Sequence, residues 1–210
     1  MTGRPMTRRG PAAWSAGLAL GLLLALSGLP VPQARAATPP TDAVAPEVPP
    51  ALAIQLLVYF NRVAAEGRPA AECDSVLAMP RAVRRTPAVA AAALRALFAG
   101  PTEAEQAAGW RSPFSAATAG LLRNVRLVQG TAYVDLNDHP ALWARASATC
   151  GAAELLVAIE RTLRQFPSVR RVVVAIEGDP RRFYGAIGLA CDMSNDHCSR
   201  RPFQPATARP

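Results

Sequence analysis

The densest set of chemically competent side chains in the chain is Cys191-Asp-Met-Ser-Asn-Asp196-His197-Cys198. Two thiols and an imidazole could hold a soft cation, and Asp192, Ser194 and Asp196 alternate as the oxygen donors of a calcium loop do. The glycine and terminal glutamate of such a loop are missing, and no fourth soft ligand is evident. In an oxidising compartment two thiols separated by six residues of polar, turn-like sequence close a local disulfide instead. Four cysteines allow three pairings. Local closure of Cys191 on Cys198 leaves Cys73 for Cys150, a bridge whose long loop stabilises by about 4 kcal/mol. The expectation is two disulfides, with no metal and no cofactor.

The remaining candidates are sparse. His139 sits in Asn137-Asp138-His139-Pro140, directly after a predicted strand, where it could pair with Asp135 or Asp138. No nucleophile is placed to use it, so it reads as a loop histidine. Zinc-protease, nucleophile-elbow, Walker and dinucleotide motifs are absent beyond the first 36 residues. An envelope-polymer hydrolase using Glu154, Glu160 or Asp135 is the enzymatic alternative. Six positions of separation put Glu154 and Glu160 on different faces of a helix, whereas glycoside cleavage needs two carboxyls about 5–9 Å apart in one pocket. The arginine pairs 84–85, 170–171, 181–182 and 200–201 could meet anionic envelope polymers or lipid headgroups. Interspersed acids make a solvated basic surface the simpler reading, and Trp110 and Trp143 read as packing residues.

Export is written at the N-terminus. Arg4, Arg8 and Arg9 precede any acid, the apolar run Leu18-Ala-Leu-Gly-Leu-Leu-Leu-Ala-Leu26 follows, and Ala34-Arg35-Ala36 fits a cleavage site. Residues 1–36 are therefore expected to be a signal peptide cut before Ala37, leaving no stable membrane span. An uncut anchor is the competing reading of the looser apolar stretch 12–29. No cysteine lies near the cut to carry a lipid. Cleavage removes four arginines and no acid, so the formal charge of +8 falls to +4. That balance gives no ground for nucleic-acid binding. Residues 37–50, with five prolines, read as an extended linker, and residues 191–210 as a disulfide-closed loop with a disordered tail.

Between them, residues 51–190 read as one domain. Residues 53–60 are β-branched and aromatic toward their end, as a strand requires, and a shorter strand is expected around 74–79. Thr86-Pro87 opens a helix whose Ala90, Leu94, Leu97 and Phe98 share one face, and Gly100-Pro101 ends it. Residues 121–128 and 132–136 form a hairpin about Gln129-Gly130. A second helix covers about 148–165, with Leu155, Ile159 and Leu163 recurring every four residues. Residues 169–176 carry Val172-Val-Val-Ala-Ile, a strand buried on both faces or central in its sheet. The order β-β-α-β-β-α-β implies a two-layer α+β fold, with two main helices on one face of a mixed sheet.

Three blocks in this order resemble the GerMN domain over residues 58–178. They are Thr86-Pro-Ala-Val-Ala90 with Ala93-Leu94, Leu97, Gly100-Pro-Thr102 and Glu105; then Gly130-Thr-Ala-Tyr-Val-Asp135-Leu; then Thr162-Leu-Arg-Gln-Phe-Pro167-Ser-Val169 and Ile176-Glu-Gly178. That domain occurs in pairs in a protein of spore formation and germination, and singly in bacterial envelope lipoproteins. A subset of the family looks to carry a cysteine pair where Cys73 and Cys150 stand. The resemblance implies a fold similar to the ring-building modules of envelope assemblies. It also implies a non-catalytic role, binding an envelope protein or polymer or a second copy of itself. This chain departs from the pattern by a single domain copy, no lipid-attachment cysteine, and a tail with a second cysteine pair.

Overall fold

Among the described residues, six strands form two three-stranded sheets. The computed structural model describes residues 52–63, 75–147, 150–191 and 197–204. All of them lie in the compact unit Val44–Pro210. The signal, cleavage and linker expectations for residues 1–50 fall outside the described residues.

The first sheet has the order β2-β1-β3, from β1 (Ala53–Arg62), β2 (Leu77–Arg84) and the two-residue β3 (Trp110–Arg111), all antiparallel. The second has the order β4-β5-β6, from β4 (Leu122–Val128), β5 (Thr131–Leu136) and β6 (Arg171–Ile176). β4 runs antiparallel to β5, and β6 runs parallel to it. The mixed pairing expected of the sheet therefore belongs to the second sheet alone.

Two main helices, α1 (Val89–Phe98) and α4 (Gly151–Arg164), pack on each other and on both sheets: each meets β1, α1 also meets β4, and α4 also meets β6. Their apolar stripes supply Leu94, Leu97, Phe98, Leu155, Ile159 and Leu163, all fully buried. These close on Val58 and Phe60 of β1, Val134 and Leu136 of β5, and Val172, Val174 and Ile176 of β6, in one continuous core. Each such side chain stabilises the fold by about 1.5–3 kcal/mol.

Smaller elements fill the joins. α2 (Glu103–Ala107) carries the full capping box of Thr102 and Glu105. α3 (Pro140–Ala146) precedes α4, α5 (Pro180–Ala186) packs on β6, and single 3-10 turns span Ala116–Thr118 and Arg201–Phe203. The first of these turns secures the end of α1. Thr118 Oγ1 donates to the Phe98 carbonyl at 2.7 Å, and Gly100, at φ +73°, lies so close to Phe114 that a Cβ would meet its carbonyl oxygen at 2.4 Å.

Three boundaries depart from the sequence reading. β2 spans Leu77–Arg84 and not 74–79, because an edge strand tolerates Pro80 where an inner one would not. α1 starts at Val89, after a turn in which Thr86 Oγ1 accepts from the Ala88 amide. The C-terminal segment is not featureless at Arg201–Phe203, where Phe203 meets the Tyr133 ring edge-on at 5.6 Å.

Candidate functional site

The cysteine-rich segment is closed. Cys191 and Cys198 are joined by a disulfide, with their Cα atoms 5.7 Å apart, and Cys198 is buried. The thiolates a metal site would need are thereby consumed, and Asp192, Ser194 and Asp196 lie outside the described residues. Cys150 is also held in a disulfide. Cys73 lies outside the described residues.

His139 is structural. It is the N-cap of α3, its Nδ1 accepting from the Leu142 amide at 3.2 Å, with Pro140 in the first helical position. Neither aspartate of its neighbourhood serves it. Asp138 Oδ1 accepts from the Trp143 indole at 2.8 Å, and its Oδ2 accepts from Arg182 at 2.6 Å. Asp135 is buried in β5, at a strand end where so short a side chain commonly bonds local backbone. Its Oδ1 accepts instead from the Gly178 amide at 2.7 Å, 43 positions along the chain, while Oδ2 accepts from Arg123 at 3.1 Å. The carboxylate thus ties β5 to the turn that follows β6.

Glu160 makes an exposed pair with Arg164, one helical turn on, and Glu154 stands in the first turn of α4. Three surface hollows of about 230, 380 and 530 Å³ are formed by described residues, and among their lining residues only Glu103 bears a carboxylate. The paired acids of a glycosidase are not assembled in them. Several arginines are spent within the chain: Arg182 pairs with Glu177 and Asp138, Arg200 approaches Asp179 at 3.8 Å, and Arg170 donates to the Gln129 carbonyl. Trp143 is buried, and Trp110 lies under the Arg62 guanidinium at 5.4 Å.

What remains open is a surface. β5 turns back on β4 through Gln129 (φ +48°) and Gly130 (φ +82°), so both central residues have the positive φ of a two-residue hairpin of type I′. In such a hairpin the closing pair, Val128 with Thr131, exchanges hydrogen bonds. By alternation Val125 and Leu127 turn their N–H and C=O outward, along the free edge of the second sheet. Beside that edge lies the apolar groove of about 380 Å³, walled by Pro87 and Val89 before and in α1, by Val125 and Leu127, and by Phe166 to Val169 after α4. Leu127 and Val128 are each about half exposed.

The first strand, whose edge the sequence offers alongside a helix face as a contact surface, is not an edge strand. β1 is central: β2 pairs along one side, and β3 joins the other at Asn61 and Arg62. On that same strand, away from β3, Gln165 at the end of α4 takes the place of a neighbour. Its Oε1 accepts from the Leu57 amide at 2.9 Å and its Nε2 donates to the Leu57 carbonyl at 2.7 Å. Sequence reasoning passed over Gln165. Its only signal was a position inside Thr162-Leu-Arg-Gln-Phe-Pro167, one of the three resembling blocks.

A family model described as Germane, sporulation and spore germination, matches residues 57–182. No curated protein matches the chain significantly. Among solved structures, the chain is similar to the first GerMN domain of the sporulation protein GerM from Bacillus subtilis, at a TM-score of 0.42 and 20% identity, over 60% of this chain and 84% of that one. The tandem GerMN domains of that protein give 0.42 and 19%, with 65% of this chain covering 43% of theirs. A chain described as a lipoprotein from Clostridium perfringens gives 0.36 and 18%, over 63% and 80%.

Proposed function

The chain belongs to the Germane family of sporulation and spore germination proteins, and from that membership we propose that it is an exported, non-catalytic binding or assembly module of the bacterial cell envelope. In this reading residues 1–36 are a signal cut before Ala37, residues 37–50 tether the domain, and residues 51–190 make the contact. The partner is an envelope protein or polymer, or a second copy of the chain.

One observation carries the proposal. His139, Asp135 and Asp138 are occupied in holding the fold, while an apolar groove and a strand edge are left on the surface. A helix cap, a turn clamp and an indole acceptor are poor starting points for turnover. An unpaired edge beside apolar surface is a good one for association.

The test begins with the protein recovered from the exported fraction of its host. N-terminal sequencing is expected to start at Ala37, and an intact Met1 end recovered from membranes would overturn cleavage. The same protein is expected to release no product from peptidoglycan or peptide substrates. Hydrolysis that vanishes on Glu154→Gln, Glu160→Gln or Asp135→Asn at unchanged stability would overturn the non-catalytic reading in favour of a hydrolase.

A further inference from the structure

The outward edge of β4 has a chemistry that specifies what it would accept. Along this strand the two faces differ. Val125 and Leu127 share the core-side face with their cross-strand partners Val134 and Ala132, and both line the apolar groove. Asn124, Arg126 and Val128 share the opposite face with Asp135, Tyr133 and Thr131. A strand laid beside β4 would therefore set alternate side chains into the groove and the others next to Arg126.

Charge is one-sided there. β4 carries Arg123 and Arg126 and no acid, and none of the residues lining the groove is acidic. Arg123 is half satisfied by Asp135, which is already held by the Gly178 amide. Arg126 has only a long contact, 3.4 Å, to the Gln204 carbonyl, and no carboxylate partner among the described residues. A third cation, Arg170, sits over Gly130 at the hairpin end of the same edge.

The other strand edges are less open. β2 is interrupted by Pro80, which has no N–H to give. β1 is paired along one side by β2 and met on the other by β3 at Asn61 and Arg62 and by Gln165 at Leu57, and β6 is buried from Val172 to Ile176.

We infer that β4 is an acceptor edge for an extended segment of a partner protein, one alternating apolar residues, which enter the groove, with acidic residues, which face Arg126. This deepens the binding role proposed above and rests on it. Main-chain hydrogen bonds to Val125 and Leu127 would supply affinity, and the groove and Arg126 would supply selectivity. A second copy pairing β4 with β4 would bring Arg123 and Arg126 of both chains together, which disfavours self-pairing at this edge.

The experiment uses the full chain and two soluble peptides, one alternating valine with glutamate and one alternating valine with lysine. The glutamate peptide is expected to slow amide exchange at Val125 and Leu127 about tenfold, and the lysine peptide to leave it unchanged. Leu127→Pro removes an outward donor and spares the β4–β5 ladder, so it should abolish the protection. Leu127→Asp, which keeps the donor but repels the peptide and spoils the groove, should do the same if the proline variant does not fold. Arg126→Glu should reverse the preference to the lysine peptide. Equal response to both peptides, or protection that survives Leu127→Pro in a folded protein, overturns the inference. So does protection in the peptide-free chain. If it grows with concentration the occupant is a second copy, and if it does not the occupant is the chain's own N-terminal segment. Should Leu127→Pro bind neither peptide differently from the parent, yet both retain an envelope component, the edge assignment fails and the binding role stands.

Discussion

At the scale of single residues, His139 and the acids Glu105, Asp135, Asp138 and Asp179 work as fasteners. Glu105 shows how much of that was legible. Its spacing from Thr102 announces a capping box, and the box is present, the Thr102 amide donating to Glu105 Oε2 at 2.8 Å. The partner from across the fold could not be read: Arg81 of β2 forks onto both oxygens at 2.6 Å. Burial pushes the carboxyl up, but the Arg81 fork and the Thr102 amide together outweigh it and hold Glu105 below the usual glutamate range. A carboxyl lowered in the folded state contributes stability that is present above its unfolded value and lost as pH falls through its folded one. Glu105→Gln should therefore cost about 1 kcal/mol at neutral pH. The gap from the parent should close as urea denaturation is repeated at pH values falling below about 4. A gap that stays constant through that range would show the charge to be irrelevant.

At the scale of elements, strong periodicity was readable and short or edge elements were not. α4, β5 and β6 announce themselves by runs of apolar residues that must be buried, and the hairpin by Gln129-Gly130. α3 and α5 have seven residues each, too few for a stripe, and rest on caps: His139 for one, Asp179 accepting from the Arg181 amide for the other. Each cap precedes a proline, and Asp179-Pro180 was the stronger unread signal. β2 alternates only weakly and contains a proline, so hydrophobicity alone mislocates it. Gln165 belongs to this scale too, since its amide stands in for a strand and joins α4 to β1. Gln165→Ala leaves the Leu57 amide and carbonyl without those bonds and should destabilise the domain by about 1–2 kcal/mol. Gln165→Glu, which can accept but not donate, should recover only part of that loss. Chemical denaturation of the three proteins checks the order, and a full recovery by glutamate would contradict the two-bond account.

At the scale of the whole molecule, the sequence read an α+β fold with two principal helices, and the chain has them. What it could not show is that the strands divide between two sheets. On the side of β1 away from β2 stand, among the described residues, only the two-residue β3 and the amide of Gln165, and neither leaves a periodic trace. The candidate surface was less legible still, because an edge is defined by what fails to pair with it. The cysteines operate at this scale as well. Peptide mapping under non-reducing conditions should link Cys73 to Cys150 and Cys191 to Cys198. Cys73→Ala should then cost about 2–5 kcal/mol, and Cys198→Ala less, because its loop is short. A crossed pattern, or free Cys73 in the folded protein, would contradict this assignment.

Pro80 has a further consequence. Growth by strand addition needs a unit that both receives and offers, and in β2 the run of donors is broken in the middle. On the assignment proposed for β4, the described strands offer one receptive rim, and the domain would be monofunctional in the polymer chemist's sense: it would terminate a growing sheet and not lengthen one. Uptake at this rim should saturate at one strand per protein, and any larger ring or array would have to be joined by contacts of another kind.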